Sequence, residues 1–165
     1  MRSSLTGRHR RCANVARMGL GGTHHWAAVA ALAVAAAWSF ALCVNDIRSQ
    51  RLPNPLTVPP AFAAILGAVL WPACAWGLVW PVIYLLTGRG IGGGDVKLAA
   101  PLGVVCAAAV GPVAVCAAIG ISGLITGAIG LATRRARLAH GPSMLAAAWC
   151  VAAAGVTCTG GPPGV

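Results

Sequence analysis

Long apolar stretches alternate with short polar stretches along most of the chain. The apolar stretches run roughly over residues 26–44, 58–73, 75–87, 96–110, 112–132 and 143–158. A helix needs about 20 apolar residues to cross a hydrocarbon core about 30 Å thick, and several of these stretches are shorter. The pattern predicts an all-α fold, a polytopic membrane helix bundle of about six transmembrane helices, in which 75–87 is the weakest span.

The composition is that of a protein built into a bilayer. Hydrophobic residues make up 58% of the chain and charged residues 8%, whereas about 25% of the residues of a soluble domain are charged. We expect one membrane-embedded domain over residues 26–158. A basic and polar tail, residues 1–25, precedes it, and a disordered tail, residues 159–165, follows it.

The net charge of +10 raises the question of a nucleic-acid partner. Outside the N-terminal tail, the basic residues are scattered in ones, twos and threes between apolar runs. That distribution favours an anionic membrane surface over a groove that follows phosphates. We therefore expect the lipid bilayer as a partner, and no nucleic acid.

Cysteine and histidine do not form a recognisable ligand pattern. The seven cysteines include no CxxC pair and mostly fall inside apolar runs, where they are best interpreted as small buried hydrophobes. His24 and His25 adjoin the first apolar run, and His140 lies in a basic loop, as interfacial polar residues do. We predict no metal and no cofactor.

Arginines in the loops predict the orientation of the helices, because short basic loops stay on the cytoplasmic side. The first, third and fifth loops carry them: Arg48 and Arg51, then Arg89, then Arg134, Arg135 and Arg137. The second and fourth loops carry no charge. This alternation predicts a multi-pass protein of the cell membrane, with the odd-numbered loops in the cytoplasm.

The N-terminal tail disagrees with that orientation. It would have to be exported, yet it holds five arginines: Arg2, Arg8, Arg10, Arg11 and Arg17. We expect translation to begin at Met18, which would remove them all. The alternative is a basic tail held inside the cell, which would require a different topology.

Asp46 and Asp95 are the only two acidic residues of the chain, and each sits in a short polar stretch beside an apolar run. Two carboxyl groups in different environments can activate water against a peptide bond, one as base and one as acid. A structural role is the alternative, with Asp95 as the N-cap of its helix and Asp46 as a polar helix end. Ionisable residues at membrane depth are usually functional, which favours a catalytic pair.

Each aspartate belongs to a motif. Asp46 is followed by Pro53-Asn54-Pro55-Leu56-Thr57, and the second motif reads Gly92-Gly93-Gly94-Asp95-Val96-Lys97-Leu98. Together they resemble the two motifs of the type IV prepilin peptidases, a D-x(6)-P-N-x-L-T stretch and a GxGD-x-K-L stretch. The segment His140-Gly141-Pro142-Ser143-Met144-Leu145 is similar to the start of that family's last helix.

The resemblance implies a membrane aspartyl endopeptidase that removes the leader of type IV pilin-like precursors on the cytoplasmic side. It places Asp46 and Asp95 at the catalytic positions. Longer family members also carry an N-terminal region with a cysteine tetrad, associated with N-methylation. That pattern is missing from this sequence, so we expect leader cleavage only, by a short form of the family.

Five further residues are expected to support the two motifs or to bind substrate: Gly92, Gly94, Lys97, Pro53 and Asn54. The glycines would let the loop bring Asp95 beside Asp46. Lys97 either extends to the headgroups or acts on Asp95 or the substrate. Helix dipoles predict Asp95, at a helix N-terminus, as the base, and Asp46, at a helix C-terminus, as the acid.

Three other functions use the same residues. A presenilin-type intramembrane protease shares GxGD but pairs it with Tyr-Asp, whereas no acid follows Tyr84 here. A small transporter or ion-binding membrane protein would use the two aspartates to bind an ion or proton, near the bilayer midplane. An inactive homologue of the peptidase is the third alternative.

Overall fold

The computed structural model describes the backbone of residues 5–87, 92–134 and 138–159, and the side chains of residues 26–87, 92–134 and 138–155. Six α-helices and one 3₁₀ helix lie in these ranges: α1 Leu5–Ser49, α2 Asn54–Leu70, the 3₁₀ helix Pro72–Leu78, α3 Val79–Thr87, α4 Gly93–Val110, α5 Pro112–Thr133 and α6 Gly141–Thr159. The described residues contain no strand. The all-α prediction is confirmed.

Some sequence-based predictions fall outside the described residues. These are the C-terminal tail beyond Thr159, the loop arginines Arg89, Arg135 and Arg137, and the side chains of the N-terminal tail. The chain divides into two compact units, residues 1–39 and residues 40–165. Both aspartates belong to the second unit, and so do all the contacts described below.

Three helical segments are long and apolar enough to cross a membrane: Trp26–Ser49, Gly93–Val110 and Pro112–Thr133. Three shorter apolar segments, Asn54–Leu70, Pro72–Thr87 and Gly141–Gly155, complete the described series. The order of these segments matches the six predicted apolar stretches. Among the described residues, the architecture is therefore that of a membrane helix bundle.

The predicted weak span at 75–87 begins earlier and is built differently from the others. It starts at Pro72 as a 3₁₀ helix of 7 residues and continues as α3 for 9 residues. A 3₁₀ helix rises about 2.0 Å per residue and an α-helix about 1.5 Å, so the combined segment is about 27 Å long. The 3₁₀ geometry thus lets a short segment approach the thickness of the hydrocarbon core.

Helix α4 is packed on most sides, with α2, the 3₁₀ helix, α3, α5 and α6 as neighbours. Its buried positions are Leu98, Ala99, Ala100, Pro101, Leu102, Gly103, Cys106 and Ala107. Small residues dominate because helices in lipid associate through close packing rather than through the hydrophobic effect. A Cβ on either Gly77 or Gly103 would collide with the backbone of the other residue.

The contact between α2 and α4 determines how two of the motifs meet. Ala61 and Ala64 of α2 form a buried cluster with Ala100 of α4. Thr57, near the start of α2, is fully buried. These small side chains hold the two helices close together, and the first turns of α2 and α4 therefore lie side by side.

Candidate active site

One pocket of about 510 Å³ collects the polar ends of several helices. It is lined by Asp46, Gln50, Arg51, Leu52, Gly92, Gly93, Gly94, Asp95, Leu138 and His140. The lining comes from the end of α1 and the loop after it, from the start of α4, and from the segment before α6. The two aspartates, 49 positions apart in the chain, thus meet at a single site. Its volume lies within the usual range of ligand pockets, roughly 300–1,000 Å³.

Asp46 lies in the last turn of α1 and is 5% exposed. Its Oδ2 accepts a hydrogen bond of 2.8 Å from the backbone N–H of Gly141, the first residue of α6. A Cβ at position 141 would lie 2.8 Å from the same oxygen. A side chain at position 141 would therefore displace the carboxyl group from this contact.

This contact changes the dipole argument made from the sequence. Asp46 stands at the C-terminal end of α1, as predicted, but its carboxyl group also meets the N-terminal end of α6. Asp95 stands at the N-terminal end of α4. Both carboxyl groups are therefore near the positive end of a helix, and helix ends alone do not distinguish the base from the acid.

Asp95 lies in the first turn of α4, where its backbone N–H donates to the carbonyl of Gly92 at 2.9 Å. The N-cap of α4 is Gly92, in an extended conformation, so the alternative role of Asp95 as the N-cap is wrong. A Cβ on Gly94 would lie 2.8 Å from the Cβ of Leu52. Gly94 thus lets the loop after α1 pack against the start of α4.

Lys97 and Asn54 connect the two motifs. The Lys97 Nζ donates a hydrogen bond of 2.8 Å to Oδ1 of Asn54, the first residue of α2. Pro53 is the N-cap of α2 and its carbonyl accepts a bond of 3.3 Å from the Thr57 hydroxyl. Among the described residues, the pocket lining includes neither Pro53, Asn54 nor Lys97. These three residues lie beside the pocket and link the elements that form it.

The sequence predicts His140 as an interfacial loop residue, and in the structure it lines the pocket. Its Nε2 is 2.7 Å from the hydroxyl of Tyr84 in α3, and its Nδ1 is 2.7 Å from the hydroxyl of Thr126 in α5. Burial lowers the pKa of His140 below its ordinary value, and the charge of Asp46 opposes that shift. In the sequence, Tyr84 and Thr126 are hydroxyl-bearing residues within apolar stretches, and that was the available indication of a buried polar partner.

Chemically, the pocket presents two carboxyl groups, an imidazole and the guanidinium of Arg51 around a space open to water. Two carboxyl groups that share a site can divide the roles of base and acid between them. Asp46 and Asp95 also lie at helix ends, within four residues of the end of α1 and the start of α4. That position fits an interfacial reaction better than ion binding at the bilayer midplane.

Comparison with known proteins adds two findings. Residues 33–131 match the type IV leader peptidase family. A prepilin leader peptidase/N-methyltransferase of Neisseria gonorrhoeae is 29% identical over 131 residues, which cover 70% of this chain and 45% of that relative. The chain therefore spans less than half the length of the relative. No solved structure matches the chain.

Proposed function

The chain belongs to the type IV leader peptidase family, and on that premise we propose that it is an aspartyl endopeptidase that removes the leader of type IV prepilin-like precursors. The observation that carries the proposal is the meeting of Asp46 and Asp95 in one pocket. These are the only acidic residues of the chain, so general acid and base chemistry by carboxyl groups falls to this pair.

In this mechanism a water molecule lies between the two carboxyl groups. The ionised aspartate takes a proton from the water, and the water oxygen attacks the scissile carbonyl carbon. The protonated aspartate gives its proton to the carbonyl oxygen. When the tetrahedral intermediate collapses, the first aspartate gives its proton to the leaving nitrogen, and the second aspartate takes a proton back from a hydroxyl group of the intermediate. The products are the free carboxylate of the leader and the new N-terminal amine of the pilin.

The two roles can be assigned from the contact with α6. A backbone N–H that donates to a carboxylate favours the charge on that carboxylate. Gly92 supplies a backbone N–H to Asp95, but among the described residues the bond with full hydrogen-bond geometry is the one of 2.8 Å from Gly141 to Asp46. We therefore assign Asp46 as the base and Asp95 as the acid. This assignment reverses the one predicted from helix ends. The two groups share protons as one unit, so the assignment describes the resting enzyme.

We place the pocket on the cytoplasmic side of the cell membrane. Its lining comes from three chain connections: α1 to α2, α3 to α4, and α5 to α6. Arg48, Arg51 and Arg134 lie in or next to two of these connections. Basic connections stay in the cytoplasm, and a prepilin leader presented there could reach both aspartates.

The substrate is proposed to bind mainly through its apolar helix. Outside the catalytic pair the chain has no acidic residue with which to attract a basic leader. Exposed apolar side chains follow α2 and α5, among them Phe62, Leu66, Leu124 and Leu131. A pilin-like helix lying in the same bilayer can pack along such surfaces, leaving its cytoplasmic end at the pocket.

Co-expression with a candidate precursor tests the proposal. Mass spectrometry of the precursor should show removal of the leader by the wild type and no removal by Asp46→Asn or Asp95→Asn. Loss of a general acid or base costs about 10²–10⁴-fold in rate. Ser49→Ala is a matched control, because Ser49 is exposed on the same helix and, within the described part of the chain, its hydroxyl donates to the carbonyls of Asn45 and Arg51. Near-normal processing by either Asp→Asn variant would show that the two-acid mechanism is wrong.

A further inference from the structure

A chain of hydrogen bonds connects three helices behind the pocket. The Tyr84 hydroxyl lies 2.7 Å from His140 Nε2, and His140 Nδ1 lies 2.7 Å from the Thr126 hydroxyl. The Thr126 hydroxyl lies 2.6 Å from the Ser143 hydroxyl. The Ser143 hydroxyl in turn donates at 2.7 Å to the backbone carbonyl of His140.

The last hydrogen bond of this series determines which group is the donor in each of the others. A carbonyl oxygen only accepts, so Ser143 gives its single proton to the His140 carbonyl. Ser143 must then accept from Thr126, which uses the single proton of that hydroxyl. Thr126 can therefore only accept from the imidazole, and His140 carries its proton on Nδ1.

The other ring nitrogen is then determined as well. In a neutral imidazole with Nδ1–H, Nε2 is an acceptor, and Tyr84 donates to it. The Ser143 oxygen, 3.3 Å from Nδ1, can accept a second branch of the same N–H. A second proton, on Nε2, would turn the Tyr84 hydroxyl from donor to acceptor, because that hydroxyl can rotate. The hydrogen bonds therefore place one proton on Nδ1, and burial, which lowers the pKa of His140, favours the neutral form of that tautomer.

The bond to the His140 carbonyl reaches the active site through one peptide group. The carbonyl of residue 140 and the N–H of residue 141 belong to the same planar unit. The Ser143 hydroxyl, at 2.7 Å, and the Met144 N–H, at 3.2 Å, both donate to the oxygen of this unit. The N–H of the unit, that of Gly141, donates to Oδ2 of Asp46 at 2.8 Å. Hydrogen bonds in series also polarise one another, so a donor on the carbonyl strengthens the N–H as a donor to Asp46.

We propose that His140 is a positioning residue of the peptidase, which acts through Thr126 and Ser143 to aim the Gly141 N–H at the Asp46 carboxylate. Its imidazole is fixed between a donor from α3 and an acceptor from α5. The inference rests on the proposed function, because it assigns His140 a role in keeping Asp46 as the base. His140 does not exchange a proton with the substrate in this scheme.

The tautomer gives a test that is independent of activity. The protein, labelled with ¹⁵N-histidine and held in detergent micelles, is measured by NMR, and His140 is assigned by comparison with His140→Gln. The expected result is a protonated Nδ1 and an unprotonated Nε2. Ser143→Ala frees the Thr126 proton, so this variant should show a second tautomer with the proton on Nε2. A wild-type His140 protonated on Nε2 would overturn the inference.

Kinetics test the positioning role. His140→Asn keeps an amide N–H near the place of Nδ1, whereas His140→Gln places its amide near Nε2. We expect kcat to fall about threefold or less in His140→Asn and about tenfold in His140→Gln, Thr126→Val and Ser143→Ala, with KM unchanged, as loss of one buried hydrogen bond predicts. Thr133→Val is the control on α5, since Thr133 is exposed and bonds to Ile129 of its own helix.

The outcomes separate the two claims. An active wild type whose kcat is insensitive to Ser143→Ala and Thr126→Val, or whose loss appears in KM alone, would overturn the role of His140 and leave the peptidase assignment intact. A folded wild type that cleaves no precursor would refute the proposed function, and the positioning role with it.

Discussion

At the scale of single residues, the site contains two glycines that a larger residue could replace only by displacing a neighbouring side chain. Gly141 brings a backbone N–H to Asp46, and Gly94 lets Leu52 pack against the start of α4. In each case an added Cβ would lie 2.8 Å from its neighbour, closer than ordinary van der Waals contact. The positions of Asp46 and of the start of α4, which carries Asp95, thus depend on close backbone approach as well as on side-chain contacts.

Gly141→Ala should impair the Asp46 side of the pair. The new methyl group would push the carboxyl group off the backbone N–H, and we expect kcat to fall about tenfold, from the loss of a charge-assisted hydrogen bond. Cleavage of a prepilin-like peptide by the purified variant measures this. Gly120→Ala in α5 is the control, because a Cβ there would meet nothing within 4 Å. Equal activity of the two variants would contradict the description of the contact.

The stability of the protein should depend on pH through His140. Burial lowers the pKa of His140 in the folded state, so the unfolded chain binds a proton more readily than the folded protein does. The stability contributed by the neutral imidazole is therefore present above the ordinary pKa and is lost as pH falls towards the lowered one. The groups that face the imidazole or share its pocket are Asp46, Arg51, Tyr84 and Asp95.

Thermal unfolding in detergent, from about pH 7.5 to about pH 5, measures this dependence around the usual range of histidine. The melting temperature of the wild type should fall more steeply with acidification than that of His140→Asn. The difference between the two curves isolates His140 from the three other histidines, all in the N-terminal tail. Parallel curves for the two proteins would count against a buried neutral imidazole.

At the scale of helices, the sequence predicted the number and order of the elements because hydrophobic length is a local property. The 3₁₀ helix before α3 could not be predicted in this way. Its Gly77 packs against the backbone of Gly103 in α4, a contact between residues distant in the chain. Likewise, the motifs identified Asp46 and Asp95 locally, whereas the hydroxyl partners of His140 come from different helices and follow no periodic pattern.

The bond between Lys97 and Asn54 joins α4 to α2 next to the pocket. It is exposed, so we expect a modest effect: Lys97→Met and Asn54→Ala should each lower kcat/KM about two- to fivefold. A double-mutant cycle tests whether they act together. If loss of this hydrogen bond causes both effects, kcat/KM of the double variant should be no lower than that of the worse single variant. Losses that multiply would mean that Lys97 and Asn54 act separately, for example on the substrate.

At the scale of the whole molecule, the proposed orientation puts the pocket in the cytoplasm. Ser49 and Val113 offer matched probes, because both are exposed and lie towards opposite ends of the bundle, Ser49 beside the pocket and Val113 after the far end of α4. In a chain whose native cysteines are replaced by alanine, Ser49→Cys should react with an impermeant maleimide only in inverted vesicles. Val113→Cys should show the opposite preference. The reverse pattern would place the pocket outside.

The central claim is that two carboxyl groups act as one catalytic unit. The most direct test is the turnover of a prepilin-like peptide by the purified wild type, by Asp46→Asn, by Asp95→Asn and by the double variant. When two residues act as a unit, removing either one costs about as much in kcat as removing both. We predict that each single variant loses at least about 100-fold in kcat and that the double variant loses no more. Near wild-type turnover by either single variant, or losses that multiply in the double variant, would contradict the account.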